Sequence, residues 1–201
     1  MRMKTIVFQF AATAALSLFG AHSAPASDTS IEAKVNLISP DGVGGEAGTL
    51  TISGTPDGIT ITPNLHGFTP GPHAFHIHLN PSCDPGMKDG KKVAGLAAGG
   101  HYMGMGDAAN GMAGMSGSDM KDKDMGMASG AMGPQMKMRG DLPELTANAD
   151  GTITAPVTKK GLTLAEFRNR SVIVHAYGET PSDPTLPKGG GARFACAVIG
   201  K

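Results

Sequence analysis

The chain has 201 residues, 40% of them hydrophobic and 4% aromatic, without tryptophan, and its 17 basic side chains balance its 17 acidic ones. So even a balance offers no basic face to nucleic acid or to an anionic membrane, and the length suits one domain. With so few aromatic residues, the core has to be built mainly from Val, Ile, Leu and Ala.

Residues 1–26 read as an export signal. "MRMK" is a basic start, "TIVFQFAATAALSLFGA" an apolar run, and Ala24 to Ala26 ("APA") fits the small-x-small cleavage rule. No stop-transfer pattern follows and no cysteine lies near the cleavage point, so a cleaved leader is expected rather than a membrane or lipid anchor. The mature domain is then 27–201, periplasmic or secreted, with no membrane association after cleavage. Losing Arg2 and Lys4 leaves it with two more acids than bases.

The N-terminal third predicts strands. "IEAKVNLI" alternates Ile31, Ala33, Val35 and Leu37, the period of a half-buried strand. "GTLTISG" and "GITITPNL" repeat the alternation with β-branched residues, separated by Gly, Pro and Asp. "HAFHIHL", "TITAPV", "SVIVHAY" and "RFACAVI" are four further strands. "TLAEFRN" is one short helical turn, opened by Thr163 with Glu166 three residues on. Many short strands joined by Gly/Pro turns predict an all-β antiparallel sandwich or barrel.

Two stretches break the pattern. Between Tyr102 and Met138 the alternation disappears, and ten of the 13 methionines of the chain fall there. "MGM" (Met103, Met105), "MAGM" (Met112, Met115), "MGM" (Met125, Met127) and "MKM" (Met136, Met138) set thioethers close together; Met120 and Met132 complete the ten. A hydrophobic core has no use for that arrangement. Composition predicts a long mobile loop over about 102–138. Thioether sulfur is a soft ligand that selects Cu(I), so copper acquisition or buffering stands beside two other readings, a tolerated low-complexity insertion and sacrificial oxidation by peroxide. The second stretch, Gly178 to Ala192, holds three Pro and four Gly and reads as loop.

Cys83 and Cys196 form an even pair, which in an exported protein reads first as a disulfide. It would close a loop of more than a hundred residues, worth on the order of 4–5 kcal/mol by chain entropy. His76 and His78 flank one residue on a predicted strand and so share a face. Two such imidazoles can bind one metal or serve as hydrogen-bonding surface histidines. His175 ends another strand and His101 follows the flexible "AAGG". Three or four converging imidazoles would suit Cu(II), Zn(II) or Ni(II), and spacing alone leaves convergence open.

"GPHAFHIHLNPSCDPG", "AAGGHY", "GDLPELTANADG", "SVIVHAYG" and "GGGARFACAVIG" occur in order across most of residues 31–200. Together they resemble successive blocks of the bacterial periplasmic Cu,Zn superoxide dismutases. The resemblance implies a Greek-key antiparallel β-sandwich or flattened barrel. It implies that His76, His78, His101 and His175 ligate copper, that His101 bridges to zinc, and that Cys83 and Cys196 form the disulfide. Arg193 matches the arginine that guides and holds the superoxide anion. The implied reaction converts superoxide to dioxygen and hydrogen peroxide by cycling one copper per chain between Cu(II) and Cu(I), with His101 delivering a proton. Family members include monomers and homodimers, and the resemblance leaves the copper donor open.

The zinc side departs from the family pattern. The family has two further histidines before the "GDLP" aspartate, here Asp141, and one of them would fall at Met138. No histidine lies between His101 and His175, so only His101 and Asp141 remain, too few for a closed tetrahedral zinc site. A copper-only member with zinc absent is the expectation. Asp141, or Glu179 where the family has an aspartate linking its two metal sites, then becomes the acid expected to orient His101 in place of zinc, with a loop-capping role as the other reading of Asp141. Ala74 stands where the family usually has Gly, and "HYMG" replaces "HYDP" or "HFDP".

The remaining residues read more simply. His73 is expected to form structural hydrogen bonds and His66 to lie in an exposed turn. Lys188 is either an aid to anion steering or a solvated lysine. A second function remains open at this stage: a copper-binding and buffering protein that uses the same site and the methionines without turnover.

Overall fold

The computed structural model describes residues 29–104 and 138–200. The leader and Met105, Met112, Met115, Met120, Met125, Met127, Met132 and Met136 lie outside the described residues. The described residues form eleven strands: β1 (Ser30–Ser39), β2 (Gly42–Thr55), β3 (Gly58–Leu65), β4 (Gly71–His73), β5 (Phe75–His78), β6 (Gly86–Lys88), β7 (Lys91–Val93), β8 (Leu145–Ala147), β9 (Val157–Lys160), β10 (Arg170–His175) and β11 (Arg193–Ile199). Two 3-10 turns, Leu96–Ala98 and Leu164–Glu166, are the only helical elements among the described residues.

Seven strands make one curled antiparallel sheet in the order β5-β10-β11-β1-β2-β3-β9, and β4 pairs with β8. β11 returns from the far end of the chain to lie beside β1, the Greek-key signature. The all-β expectation holds. Leu50, Ile52, Ile59, Ile61, Phe75 and Ile77 are each at most 1% exposed in its main core, and full burial of such a side chain contributes about 1.5–3 kcal/mol. A smaller cluster of Ile38, Ala98 and Ile173 surrounds Cys83 and Cys196.

Three local departures from the sequence pattern have physical reasons. "HAFHIHL" is divided at Ala74: His73 pairs with β8, whereas Phe75 onward pairs with β10. "TITAPV" forms only an isolated bridge from Ile153 to Leu65, and pairing with β3 resumes at Val157, because Pro156 has no N–H to donate to a ladder. The β6–β7 hairpin turns through Asp89 and Gly90, both with positive φ, the Asp-Gly signal of a tight hairpin.

Candidate metal centre

Three of the four histidines reach the centre through strand geometry. In the β5–β10 ladder His76 faces Ile173 and His78 faces Ser171, which brings His175, at the end of β10, beside the pair. His101 lies far along the chain, and a backbone bridge to His78 delivers it. One ring nitrogen from each of His76, His78, His101 and His175 lies within 4.8 Å of the others. Among the described residues this is the only such group able to hold a metal ion.

Hydrogen bonds fix which nitrogen each ring offers. The Nδ1–H of His78 donates to the Gly99 carbonyl at 3.0 Å, and that of His175 to the Gly191 carbonyl at 3.1 Å. His76 is reversed, its Nε2–H donating to Glu179 Oε1. The nitrogens left over, His76 Nδ1, His78 Nε2 and His175 Nε2, are buried and have no hydrogen-bond partner. Buried lone pairs without a donor are costly, and three aimed at one point fit a Lewis-acidic cation. His101 Nδ1 contacts Asp141 Oδ1 at 3.2 Å, which leaves its Nε2 for the same point.

The environment keeps the rings of His76, His78 and His175 neutral. Burial, followed by the other three histidines and Arg193, lowers His76 to about 2. Burial and then Arg193 lower His78 to about 3, against the opposing pull of the Gly99 carbonyl. Burial lowers His175 to about 4 although the Gly191 carbonyl raises it. A neutral imidazole cluster is the donor set of copper or zinc.

Arg193, opposite His175 in the β10–β11 register, is half-buried. Its Nη1 donates to the Gly95 carbonyl and its Nη2 to the Gly99 carbonyl at 2.7 Å. The Gly99 oxygen thus fixes both the arginine and His78. Burial alone lowers the Arg193 pKa. The loop that supplies Gly95 and Gly99 follows Cys83, which bonds Cys196 with an S–S distance of 2.00 Å and a Cα–Cα distance of 5.8 Å.

Of the two acids considered for His101, Asp141 makes the contact and Glu179 meets His76 instead. The second oxygen of Asp141 accepts the Met138 N–H at 2.8 Å. Burial would raise the Asp141 pKa, but its hydrogen bonds to His101 and Met138 outweigh that and lower it. Met103 and Met138 are half-buried at the two ends of the methionine-rich stretch. His73 is buried, its ring nitrogens 2.8 Å from the carbonyls of His175 and Thr69. His66 and Lys188 are exposed.

Sequence reasoning missed the supports of the site. The carbonyls of Gly99 and Gly191 carry no side-chain signal. Glu166 was legible only as a helix cap, yet it is 3% exposed and bound to Arg139 and Tyr102.

The family model for copper/zinc superoxide dismutase (SODC) matches residues 46–199. A Superoxide dismutase [Cu-Zn] of Brucella abortus biovar 1 is 44% identical over 181 residues, covering 87% of this chain and 91% of the relative. Superoxide dismutase [Cu-Zn] 1 of Salmonella typhimurium is 40% identical over 201 residues, covering 99% and 100%. Among solved structures, the Cu/Zn superoxide dismutase from Brucella abortus superposes with a TM-score of 0.64 at 43% identity, covering 85% of this chain and 99% of that one. The monomeric copper, zinc superoxide dismutase from Salmonella enterica gives 0.62 at 38% identity, again covering 85% and 99%.

Proposed function

The chain belongs to the copper/zinc superoxide dismutase family, and from that premise we propose that His76, His78, His101 and His175 hold one copper ion in a chain that has lost its zinc. The reaction is the dismutation of superoxide to dioxygen and hydrogen peroxide. Copper held by these four histidines would supply the Cu(II)/Cu(I) redox couple that dismutation of superoxide needs.

The residues of the chain do the rest. Gly99, Gly191, Glu179 and Asp141 set the four tautomers, so that each ring keeps one lone pair turned inward. Arg193 places a permanent cation in the wall of the site, where it attracts and holds a small anion. Peroxide formation consumes two protons. The His101 side chain is 25% exposed while His76 is 1% exposed and His78 is fully buried, so His101 is the ring in reach of water. Once Nε2 had given up the copper ion, the ring could take up a proton there and hand it on, with Asp141 holding its other nitrogen.

The observation that carries the copper assignment is the set of three buried, partnerless nitrogens in one group of imidazoles. The zinc-poor reading is supported by Asp141, whose two oxygens are engaged by His101 and by the Met138 amide, and by methionine at a position where a zinc ligand is expected. Loading the mature protein with copper and zinc and measuring metal content beside dismutase rate tests both. One copper, little zinc and a fast rate are expected. Stoichiometric zinc would sink the zinc-poor reading, and a rate no better than that of Arg193→Ala, with several coppers per chain, would favour copper buffering.

Substituting Asp141→Asn and Glu179→Gln separately should each weaken copper binding by about 10–100-fold, the usual effect of removing a ligand's hydrogen-bond partner. Unchanged affinity in both would refute their orienting roles. The leader and the disulfide support export of residues 27–201 to the periplasm. The methionines, Met103 through Met138, are assigned to Cu(I) binding on the softness of their sulfur. A variant with all ten changed to Leu should bind fewer Cu(I) ions per chain; unaltered stoichiometry would reduce the segment to an inert insertion.

A further inference from the structure

We propose that the buried carboxylate of Glu166, acting through Arg139 and Tyr102, is the positioning device that holds His101 in the imidazole cluster, and that it joins the neighbourhoods of His101 and Asp141, which a second metal ion would otherwise join. This rests on the reading of His101 as a copper ligand in a zinc-poor chain.

His101 and Asp141 stand 40 residues apart in sequence yet are hydrogen-bonded. Joining two points at that separation has an entropic cost that grows with its length, so something must hold them together. At the backbone level both neighbourhoods meet β5. The Tyr102 N–H donates to the Ile77 carbonyl at 2.8 Å, the Gly140 N–H to the Tyr102 carbonyl at 2.7 Å, and the Ile77 N–H to the Gly140 carbonyl at 2.9 Å. The approach is so close that a Cβ on Gly140 would lie 2.6 Å from the Ile77 oxygen.

The side chains next to these amides converge on one acid. Arg139, beside Gly140, grips Glu166 through Nε at 2.5 Å and Nη2 at 3.0 Å. The Tyr102 hydroxyl, beside His101, donates to the same carboxylate at 3.3 Å. Arg139 Nη2 also reaches the Gly161 carbonyl at 2.6 Å, and Arg170 lies 4.0 Å over the Tyr102 ring while its Nε donates to the Glu166 carbonyl at 3.0 Å. The Thr163 amide already gives the carboxylate a local donor at 2.9 Å. A helix cap needs no more than that. Donors arriving from beside His101 and from beside Asp141, each one or two residues from them, give the acid a longer reach.

The test uses the mature protein with Arg139→Met, Arg139→Lys and the double variant Arg139→Met/Glu166→Gln, which removes the buried charge and keeps the fold measurable. Amide exchange in the metal-free protein is the first readout. Arg139→Met should speed exchange at Tyr102 and Gly140 by about 10-fold or more while the amides of β10 and β11 stay within about twofold. The second readout is Cu(II) affinity with the electron paramagnetic resonance spectrum, where the dissociation constant should rise about 10–100-fold and the spectrum change. Arg139→Lys, which keeps the charge and loses the two-pronged geometry, should restore only part of both. Unchanged exchange at Tyr102 and Gly140, or equal acceleration throughout β10 and β11, would overturn the proposal. Zinc content of the wild type is measured alongside; stoichiometric zinc would refute the zinc-poor reading by itself, and the exchange data would still judge the Glu166 device.

Discussion

Acid should unfold the metal-free protein far earlier than its carboxylates alone would predict. His76, His78 and His175 titrate at about 2, 3 and 4 in the fold, against 6.5 for an ordinary histidine. Folded pKa values below the unfolded one mean that below pH 6.5 the unfolded chain binds protons that the folded chain refuses. The stability these rings confer is therefore whole above pH 6.5 and is lost as pH falls toward the folded values. With three groups the slope approaches 4 kcal/mol per pH unit, and the loss between pH 6.5 and 5 comes to about 5 kcal/mol, comparable to the whole stability of many domains. Asp141 and Glu166 also have lowered values, but their ordinary pKa values of 3.8 and 4.5 place their losses below this window. Urea melts of the metal-free, disulfide-intact protein at pH 7.5, 6.5, 5.5 and 5.0 measure the effect, and His175→Asn should remove about a third of the slope. A stability that falls by less than about 1 kcal/mol over that range would refute the neutral-cluster argument.

Three further outcomes follow from the geometry. Replacing Cys83 and Cys196 together by Ser opens a link across a sequence separation of 113 and should lower stability by about 5 kcal/mol on the chain-entropy account, read from urea melts. Arg193→Ala should slow dismutation by about 10-fold or more and flatten its dependence on ionic strength, since superoxide dismutase is itself one of the standard cases of a rate near the diffusional ceiling; an unchanged salt profile would remove Arg193 from anion guidance. Gly140→Ala drives a methyl group against the Ile77 and Tyr102 backbone and should cost ~3 kcal/mol in a denaturation curve while weakening copper binding; wild-type values for both would show that the junction yields freely.

The legible parts of the fold were those with a period. β1 and β3 match runs of alternating residues because each has one face on the core. β5 is buried at all four positions, so no alternation marks where it begins, and the switch of partner at Ala74 stayed hidden. Each β6–β7 strand has three residues, too short for a period, although the Asp-Gly turn was there to read. For the centre, H-x-H set two rings on one face. Convergence of His101 depends on a bridge to His78 across the strand edge, and only the assembled chain specifies it. Glu166 illustrates the same limit. Its local spacing identified the cap, while its ties to Tyr102 and Arg139 span 64 and 27 residues.

Depressed histidine pKa values and a fixed arginine belong to one design. A cluster of protonated imidazoles would attract superoxide strongly but would have no lone pairs left for copper. Neutral imidazoles keep the lone pairs and give up the attraction, and the chain as a whole, with acids equal to bases, supplies no general pull on an anion. The charge must then come from a group that stays cationic at any working pH while sitting close enough to act at low dielectric. Arginine alone meets that condition, and the site ties it to the ligand shell directly, since the Gly99 carbonyl accepts from both Arg193 and His78. The same proximity feeds back on the ligands, because the Arg193 charge is among the causes that lower His76, His78 and His175. Removing that charge should therefore act on two properties in opposite senses: weaker anion capture, together with easier protonation of His76, His78 and His175.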